Sequence, residues 1–356
     1  MQKIISFPHL GDYYIPISLF LKRTTKQKVV PSPKITKKTL ELGLKNSPES
    51  VCIPFKYNLG NFIESLENGA NVLFTAGGGC RYRYYAEVSE EILRDLGYNF
   101  EFYKLISGDS LSIKEVYKIF KKLNNKLKFR TFIHNAIFTI FYIYYMDKID
   151  VIIRKNIGFE KEKNSHIKLK KKMFYEFSKT KSITKLTILY LKYRHRFKKI
   201  RLNNKTGCLK VGIIGELYTS MEPYSNYFLE EYLAKENIEI KRFTNLSYLL
   251  WQKKYLKHHM LRTTKKYCKY PMGADGLDNI YRCIKLKRKK YDGIIHIKPF
   301  GCTPEIGAIP IMQKYCSDNE IPIIFFSYDS ENSMKGIRNR LEAFKDLLEI
   351  RRDKID

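Results

Sequence analysis

Asn71-Val-Leu-Phe-Thr-Ala-Gly-Gly-Gly-Cys-Arg-Tyr-Arg83 is the stretch around which the chain is organised. Residues 71–75 are apolar and favour a pleated surface, which predicts a short buried strand. The three glycines then end that strand, because glycine tolerates backbone angles that other residues avoid. Helical spacing resumes at Tyr82, so Cys80 is predicted at a strand-to-helix turn, where open α/β sheets bind ligands. A thiol there lies near the positive end of a helix, which favours the metal-binding thiolate; the alternative is a tight turn with an incidental cysteine.

Strand-like and helical segments alternate in two blocks of the chain, which predicts parallel sheets with right-handed crossovers. Between the blocks, residues 112–201 are rich in Lys, Phe, Tyr and Ile and contain no proline. The predicted fold class is α/β, with two Rossmann-like domains flanking a cleft and a helical basic insertion. The predicted domains are 1–111, 112–201 and 202–356. Strands are predicted at 4–7, 28–30, 71–75, 101–105, 208–216, 238–241, 291–298 and 322–327.

Composition and hydropathy indicate a globular protein with no membrane segment. Apolar residues make up 44% of the 356 residues, and the start of the chain has no signal-peptide pattern. The longest apolar run, 132–146, contains His134 and Asn135 and is shorter than the roughly 20 residues that span a bilayer. The seven cysteines are scattered, which favours free thiols or metal ligands over a disulfide framework. The expected compartment is the cytoplasm.

The net charge of +30 is concentrated in two segments. Residues 154–201 contain 17 Lys and Arg against 3 acidic residues, and residues 253–290 contain 13 against 2. Such segments suit nucleic-acid binding, attraction of a phosphate-bearing substrate or docking of an acidic protein. The structural alternative is an amphipathic helix whose solvated face is filled with lysine.

Three cysteines share a local context that the other four lack. Cys52, Cys80 and Cys302 each follow a strand-like or extended segment and precede a helix. Two of them form the pattern Cys-x-Pro, with proline where the first turn of a helix tolerates it. Proline there leaves the neighbouring N–H groups able to bond to a thiolate or a cluster sulfide. The remaining cysteines, interpreted as structural or exposed thiols, are Cys208, Cys268, Cys283 and Cys316.

Three converging thiolates would suit an iron–sulfur cluster. A cubane has four irons, so three cysteines would leave one iron open to water, hydroxide or substrate. The spacing differs from the clustered ligands of ferredoxins, and no Cys-x-x-Cys pair of the zinc type is present. The glycine-rich turn matches neither dinucleotide-binding nor P-loop patterns, so no nucleotide site is predicted.

Five short motifs resemble those of the 2-hydroxyacyl-CoA dehydratase superfamily, and most closely its acyl-CoA dehydratase activase-related (CoA-protein-activase-like) branch. The resemblance covers residues 1–105 and 208–350 well and the basic middle segment poorly. The motifs are Cys52-x-Pro54-x-Lys56-x-x-x-Gly60, Gly78-Gly-Cys-Arg81, Gly215-Glu216 with Pro223-Tyr-Ser-Asn226, Phe300-Gly-Cys-Thr-Pro-Glu305 and Arg340-Leu-Glu-Ala-Phe344.

The resemblance implies Rossmann-like domains with a 4Fe–4S cluster in the cleft between them, held by Cys52, Cys80 and Cys302. It also implies electron delivery from an ATP-dependent activator. The dehydratases use two different subunits, so a related second subunit and a homodimer are both considered as partners. A double-cubane cluster would need further ligands, and one of the other four cysteines would then be recruited.

The predicted function is therefore a low-potential iron–sulfur electron-transfer protein of anaerobic metabolism, a reductase or dehydratase-like enzyme acting on an activated thioester. The competing class is a nucleic-acid-binding protein that uses segments 154–201 and 253–290. His9 and His296 follow or end strands near the expected cleft, where a lone histidine is more often structural. Candidates for facing the cluster as proton donors or anion holders are Lys56, Arg81, Arg83, Glu216 and Glu305.

Overall fold

The computed structural model describes residues 2–77, 82–105 and 112–354. The described residues form eight strands, at the positions where apolar and β-branched residues cluster between turn residues. The strands are Ile4–Ser6 (β1), Lys28–Val29 (β2), Val72–Thr75 (β3), Glu101–Lys104 (β4), Lys210–Gly215 (β5), Glu239–Arg242 (β6), Gly293–Pro299 (β7) and Ile323–Tyr328 (β8).

Helices occupy most of the remaining described chain. The α-helices are Tyr14–Thr25 (α1), Lys37–Asn46 (α2), Ile53–Glu67 (α3), Tyr82–Asp95 (α4), Ile113–Leu123 (α5), Phe129–Asn156 (α6), Ser165–Lys179 (α7), Ile183–Lys198 (α8), Leu217–Met221 (α9), Leu229–Lys235 (α10), Lys253–Thr264 (α11), Gly276–Arg288 (α12), Thr303–Asp318 (α13) and Met334–Asp353 (α14). A π-helical turn, Tyr248–Gln252, precedes α11. None of the described helices has the length and apolar character that crossing a bilayer requires.

The strands form two separate parallel sheets with the same topology. The first has the order β2-β1-β3-β4, and the second has the order β6-β5-β7-β8. Every pairing in both sheets is parallel, with Ile5 beside Val72 in the first sheet and Ile213 beside Ile295 in the second. This arrangement confirms the predicted α/β fold with two Rossmann-like sheets.

The chain divides into two compact units, each built around one sheet. The first contains residues 1–143 and 178–186, and the second contains residues 144–177 and 187–356. The division falls within the long helices α6, α7 and α8. The three-domain division predicted from the sequence stays a prediction.

Helices cover both faces of each sheet, as expected for parallel sheets whose central strands are mostly apolar. In the first unit, α1 and α5 pack on one face around Phe120, and α3 and α4 pack on the other around Phe62. In the second unit, α10 and α14 cover one face and α12 and α13 the other. The ends of the sheets, not their faces, are therefore left for binding.

The glycine of the Cys52-x-Pro-x-Lys-x-x-x-Gly60 motif has a structural role in the first unit. A Cβ atom at Gly60 would lie 1.9 Å from the carbonyl oxygen of Thr39, and one at Gly43 would lie 1.9 Å from that of Lys56. Since both obstacles are backbone atoms, the two glycines allow α2 and α3 to pack at close range. The Thr39 hydroxyl also donates to Glu64 at 2.7 Å across this contact.

We predict that Gly60→Ala destabilises the first unit, because α2 must move away from α3 to admit the methyl group. The expected loss is about 2–3 kcal/mol of unfolding free energy, the usual scale for overpacking, measured by denaturant unfolding. Gly273→Ala is the control, because its Cβ would meet only Pro304 at an ordinary 3.8 Å. Equal stability of Gly60→Ala and the wild type would contradict the proposed role of Gly60.

Candidate metal and acid–base site

Cys302 lies at the carboxyl end of a central strand in the second unit. It follows β7 after Phe300 and Gly301, and Gly301 has φ of +73°, a conformation that favours glycine. Cys302 is the N-cap of α13, with Pro304 in the first turn and no hydrogen bond from the cap side chain to the helix. Its thiol is partly exposed. The strand-to-helix turn predicted here is therefore present.

Lys298 gives this turn a local positive charge. Its side chain is buried, donates to the Ser327 hydroxyl at 2.7 Å, and lies close enough to Cys302 and Glu305 to interact electrostatically with both. Burial lowers the pKa of Lys298, and the two acidic neighbours oppose that effect. An ammonium group beside a thiol at a helix N-terminus favours the thiolate.

Cys52 occupies a similar position at the start of α3 in the first unit. It is the N-cap of that helix, has extended backbone angles, and is followed by Pro54 in the first turn. Its partly exposed Sγ lies 3.3 Å from the hydroxyl of Tyr85 in the first turns of α4. The ring of Tyr85 packs edge-on against Phe55, with centroids 4.7 Å apart. The start of α3 therefore contacts the start of α4, the helix that follows Cys80 in the sequence.

The Cys-x-Pro pattern suggests that Cys52 and Cys302 occupy equivalent positions in the two units. The order of the strands, which is the same in both sheets, shows that they do not. Cys302 follows the third strand of its sheet, and the residue in that position in the first unit is Cys80, which follows β3. Cys52 begins the helix that leads into the third strand, and its counterpart is Asp275, the N-cap of α12. The pattern reflects a common way of starting a helix, because proline suits the first turn wherever the helix lies.

Three of the predicted site residues have no described side chain, and the described residues contain no complete metal site. Cys80 and Arg81 lie outside the described residues, as does the side chain of Arg83. Lys56 lies one turn into α3 and is partly exposed. Within the described residues, no group of three or more His, Cys, Asp or Glu side chains is arranged to hold a metal ion.

A buried polar network lies beneath the turn that contains Cys302, with Asn279 at its centre. The amide nitrogen of Asn279 donates to both carboxylate oxygens of Glu305 at 2.9 Å. Its amide oxygen accepts from Arg282 at 2.9 Å and from the backbone N–H of Gly215 at 3.1 Å. Asn279 thus joins α12, the start of α13 and the end of β5 through a single side chain.

Glu305 and His296 form the innermost part of this network, and both are fully buried. The Nε2 atom of His296, in the middle of β7, lies 2.6 Å from Oε2 of Glu305. A carboxylate removed from water requires several donors, and the imidazole and the Asn279 amide provide them. Glu305 therefore holds α13 against β7, with His296 as its partner on the strand.

Glu216 is the acidic side chain of this region with the most altered acidity. It follows β5 directly, is the N-cap of α9, and accepts from the backbone N–H groups of Tyr218 and Thr219 and from the Thr219 hydroxyl. Burial raises the pKa of Glu216 to about 7, and the nearby Asp275 carboxylate adds to this effect, while the Thr219 and Tyr218 donors oppose it. Glu216 can therefore hold or release a proton near neutral pH.

The remaining cysteines lie away from the carboxyl ends of the strands. Cys268, Cys283 and Cys316 are buried in the apolar core between the second sheet and helices α12 and α13. Burial and the neighbouring Cys316 raise the pKa of the Cys283 thiol, which makes it a poor nucleophile and a poor ligand. Cys208 is partly exposed in the segment before β5.

The sequence indicates Glu305 and His296 as candidates, but not Asn279, Arg282 or Lys298. The available signal was a polar side chain next to apolar residues. Asn279 stands with Asp278 between Leu277 and Ile280 in α12, and Lys298 follows Ile297 in β7. Such a residue on the buried face of an element needs partners, although the sequence does not say which.

We predict that Asn279→Ala destabilises the second unit by about 2–4 kcal/mol, because Glu305, Arg282 and the Gly215 N–H each lose a buried partner. Denaturant unfolding measures the change. Asn319→Ala is the control: its amide bonds to the Tyr315 carbonyl at 2.8 Å at the other end of α13, in a partly exposed position, and it should cost less than about 1 kcal/mol. Equal costs for the two variants would contradict a central role for Asn279.

We also predict that Glu216 makes stability depend on pH. A raised carboxyl pKa means that the folded state binds the proton more tightly than the unfolded state does. The contribution of Glu216 to the free energy of unfolding is therefore complete below about pH 4.5 and is lost as pH rises through about 7. The loss is at most roughly 3 kcal/mol at about 1.4 kcal/mol per pKa unit. Glu216→Gln should remove this part of the pH dependence in denaturant unfolding, and Glu231→Gln, at an exposed position in α10, should not. A difference curve between Glu216→Gln and wild type that is flat from pH 4.5 to 7.5 would refute the assignment.

Comparison with known proteins bears on the second unit. None of the curated protein sequences matches the chain. Residues 215–348 match the family model described as 2-hydroxyglutaryl-CoA dehydratase, D-component. The matched region contains Glu216, Asn279, Cys302 and Glu305, and excludes Cys52 and Cys80. The match confirms the resemblance to the 2-hydroxyacyl-CoA dehydratase superfamily for residues 215–348, where three of the five motifs lie, and makes this part of the chain similar to a component of a dehydratase of that type.

Proposed function

We propose that the protein is an iron–sulfur component of the 2-hydroxyacyl-CoA dehydratase type, in which Cys52, Cys80 and Cys302 bind one 4Fe–4S cluster. The observation that carries the proposal is the match of residues 215–348 to the D-component of 2-hydroxyglutaryl-CoA dehydratase, with Cys302 at the carboxyl end of β7 within the matched region. Cys52 in the first unit is, like Cys302, a partly exposed N-cap residue that precedes a proline in the first turn of a helix.

The first unit offers a reason to expect that Cys52 and Cys80 act together. Cys52 contacts Tyr85, and only five positions separate Tyr85 from Cys80 in the sequence. On the other side, Gly77 follows the end of β3 and precedes Cys80 by three positions. A cluster bound by both thiols would therefore need only short lengths of chain between Cys80 and the described residues on either side of it in the sequence.

The donor set suits the cluster chemically. Thiolates are the usual ligands of iron–sulfur clusters, and a thiol at a helix N-terminus loses its proton more readily than one in solvent. Lys298 adds a positive charge beside Cys302. A bound cluster would supply one-electron transfer to an activated thioester, with electrons from an ATP-dependent activator. A homodimer or a related second subunit would complete the enzyme.

Glu216 is the proposed proton-holding group on the second unit. It lies at the carboxyl end of β5, beside the strand that leads to Cys302. With a pKa raised to about 7 by burial, its carboxyl group carries a proton in part of the molecules at neutral pH. General acids work best when their pKa lies near the operating pH.

Nucleic-acid binding through segments 154–201 and 253–290 remains the second candidate, and part of the basic charge in those segments is used internally. Arg154 pairs with Glu230 at 2.8 Å and Lys170 with Asp150 at 2.7 Å. Lys253 pairs with Asp275 at 2.6 Å. These cations stabilise the second unit and are less available to a phosphate backbone.

The test of the proposal is the iron and sulfide content of anaerobically purified protein and its single-cysteine variants. We expect a brown protein with about four irons per chain. Cys52→Ser, Cys80→Ser and Cys302→Ser should each lower bound iron severalfold, because a lost thiolate leaves a cluster edge to water. Cys208→Ser is the matched control: its thiol is also partly exposed, and its loss should leave iron unchanged.

The same preparations separate the competing functions. Protein without iron or sulfide that binds RNA or DNA with a steep salt dependence would contradict the cluster proposal and favour nucleic-acid binding. Equal iron loss in Cys208→Ser and Cys302→Ser would show that the named cysteines are not the ligands. Cys268 and Cys283 are less suitable controls, because their thiols fill the core.

A further inference from the structure

A cavity of about 170 Å³ lies in the second unit beside the edge strand β6. Residues of α6, β6, the π-helical turn before α11, and α12 form its walls. That volume is nearly six times the share of one water molecule in the liquid, about 30 Å³, so it admits a phosphate group. Its charged lining residues are Asp147, Lys148, Lys241, Arg242, Arg282 and Lys285.

Three lysines in the lining have no acidic partner. Among the described residues, no carboxylate oxygen lies within 4 Å of the ammonium nitrogens of Lys148, Lys241 and Lys285. Lys241 and Lys285 instead flank the ring of Phe243, at 5.4 and 5.9 Å from its centroid. Burial lowers the pKa of Lys241, and the positive charges of Lys289, Arg154, Lys148 and Lys285 lower it further. The lysines therefore crowd one another without a compensating anion.

Arg282 is the most unusual group in the lining. Its residue is only 2% exposed, and its Nη1 atom donates to the Thr244 hydroxyl at 2.8 Å and to Asn279. In the described part of the chain its Nη2 atom has no hydrogen-bond partner, and no carboxylate lies within 4 Å of the guanidinium. A buried cation without a counter-ion is costly, so an anion in the cavity would offset that cost.

The two other charged lining residues do not neutralise the cavity. Arg242 pairs with Glu230 at 2.7 Å. Asp147 accepts from the backbone N–H of Ser247 at 2.8 Å, which ties α6 to the start of the π-helical turn. One carboxylate therefore stands against the four cations Lys148, Lys241, Lys285 and Arg282, and the cavity keeps a positive excess.

We propose that this cavity binds a phosphate group of a small molecule, with Lys148, Lys241 and Lys285 as charged donors and Arg282 as the buried donor. The cations come from three different elements and line one cavity, as a site for a compact polyvalent anion requires. The proposal does not depend on the cluster, because none of the lining residues is a candidate cluster ligand. The phosphate would belong either to a free inorganic anion or to a nucleoside diphosphate group carried by a larger ligand.

The test is calorimetric titration of the purified protein at low ionic strength with inorganic pyrophosphate and with adenosine diphosphate. We expect saturable 1:1 binding that Lys241→Gln and Lys285→Gln each weaken about tenfold, the scale of one lost charge-assisted hydrogen bond. Lys287→Gln removes the same charge from an exposed position in α12 outside the cavity, and it should change affinity less than twofold. Tighter binding of adenosine diphosphate would identify a nucleotide-bearing ligand as the source, and tighter binding of pyrophosphate an inorganic one.

Three results would overturn the proposal. One is the absence of saturable binding of either probe to wild-type protein whose thermal unfolding is cooperative. Another is equal weakening in Lys285→Gln and Lys287→Gln, since that would indicate attraction to the overall charge. A single-stranded oligonucleotide that binds more tightly than both probes, with equal losses in all three variants, would likewise replace the cavity with a surface for nucleic acid. Thermal unfolding of each variant shows whether a loss of binding reflects a loss of folding.

Discussion

The need to give every buried polar group a partner governs the second unit. The side-chain amide of Asn279 can donate and accept hydrogen bonds at the same time. It donates to Glu305 and accepts from Arg282 and from the backbone N–H of Gly215. A carboxylate in its place would repel Glu305, and an apolar residue would leave Glu305 and Arg282 short of a partner. Because Glu305 lies in the first turn of α13, this requirement also fixes the residue that begins the helix, Cys302. The position of Cys302, the candidate cluster ligand, therefore depends on the hydrogen bonds between Asn279 and Glu305, about one helical turn away.

The same sheet topology is used twice, and the two units differ mainly at the carboxyl ends of the strands. In the first unit a cysteine begins the helix that precedes the third strand, and a second cysteine follows that strand. In the second unit those two positions belong to Asp275 and Cys302. Asp275 is paired with Lys253 and raises the pKa of Glu216. The second unit thus has a carboxylate at the position where the first unit has a thiol.

Most of the fold could be predicted from the sequence, and the reasons are local. Apolar runs such as 211–214 and 294–297 are bounded by turn residues, and the Cys-x-Pro patterns correctly mark the starts of α3 and α13. The buried network could not be predicted in the same way. Asn279 and Glu305 are 26 positions apart, and their contact depends on how α12 packs against α13, which no local pattern reports. The correspondence between Cys302 and Cys80 can be recognised only from the order of the strands in each sheet. That order is visible in the folded structure and not in any local sequence pattern.

The distribution of charge also shows that a local sequence pattern does not report which residues the fold brings together. The basic charge is concentrated in segments 154–201 and 253–290, yet two of the four unneutralised cations around the cavity, Lys148 and Lys241, lie outside both. Lys241 belongs to a strand and Lys148 to the long helix α6, and neither stands in a basic run. Meanwhile Arg154 and Lys170, inside the first segment, are paired with carboxylates of the same unit. Net charge per segment measures solvation and long-range attraction, whereas a binding site depends on which cations the fold brings together without a partner. The spatial grouping of Lys148, Lys241, Lys285 and Arg282 is therefore better evidence for an anion site than the larger charges of the basic segments.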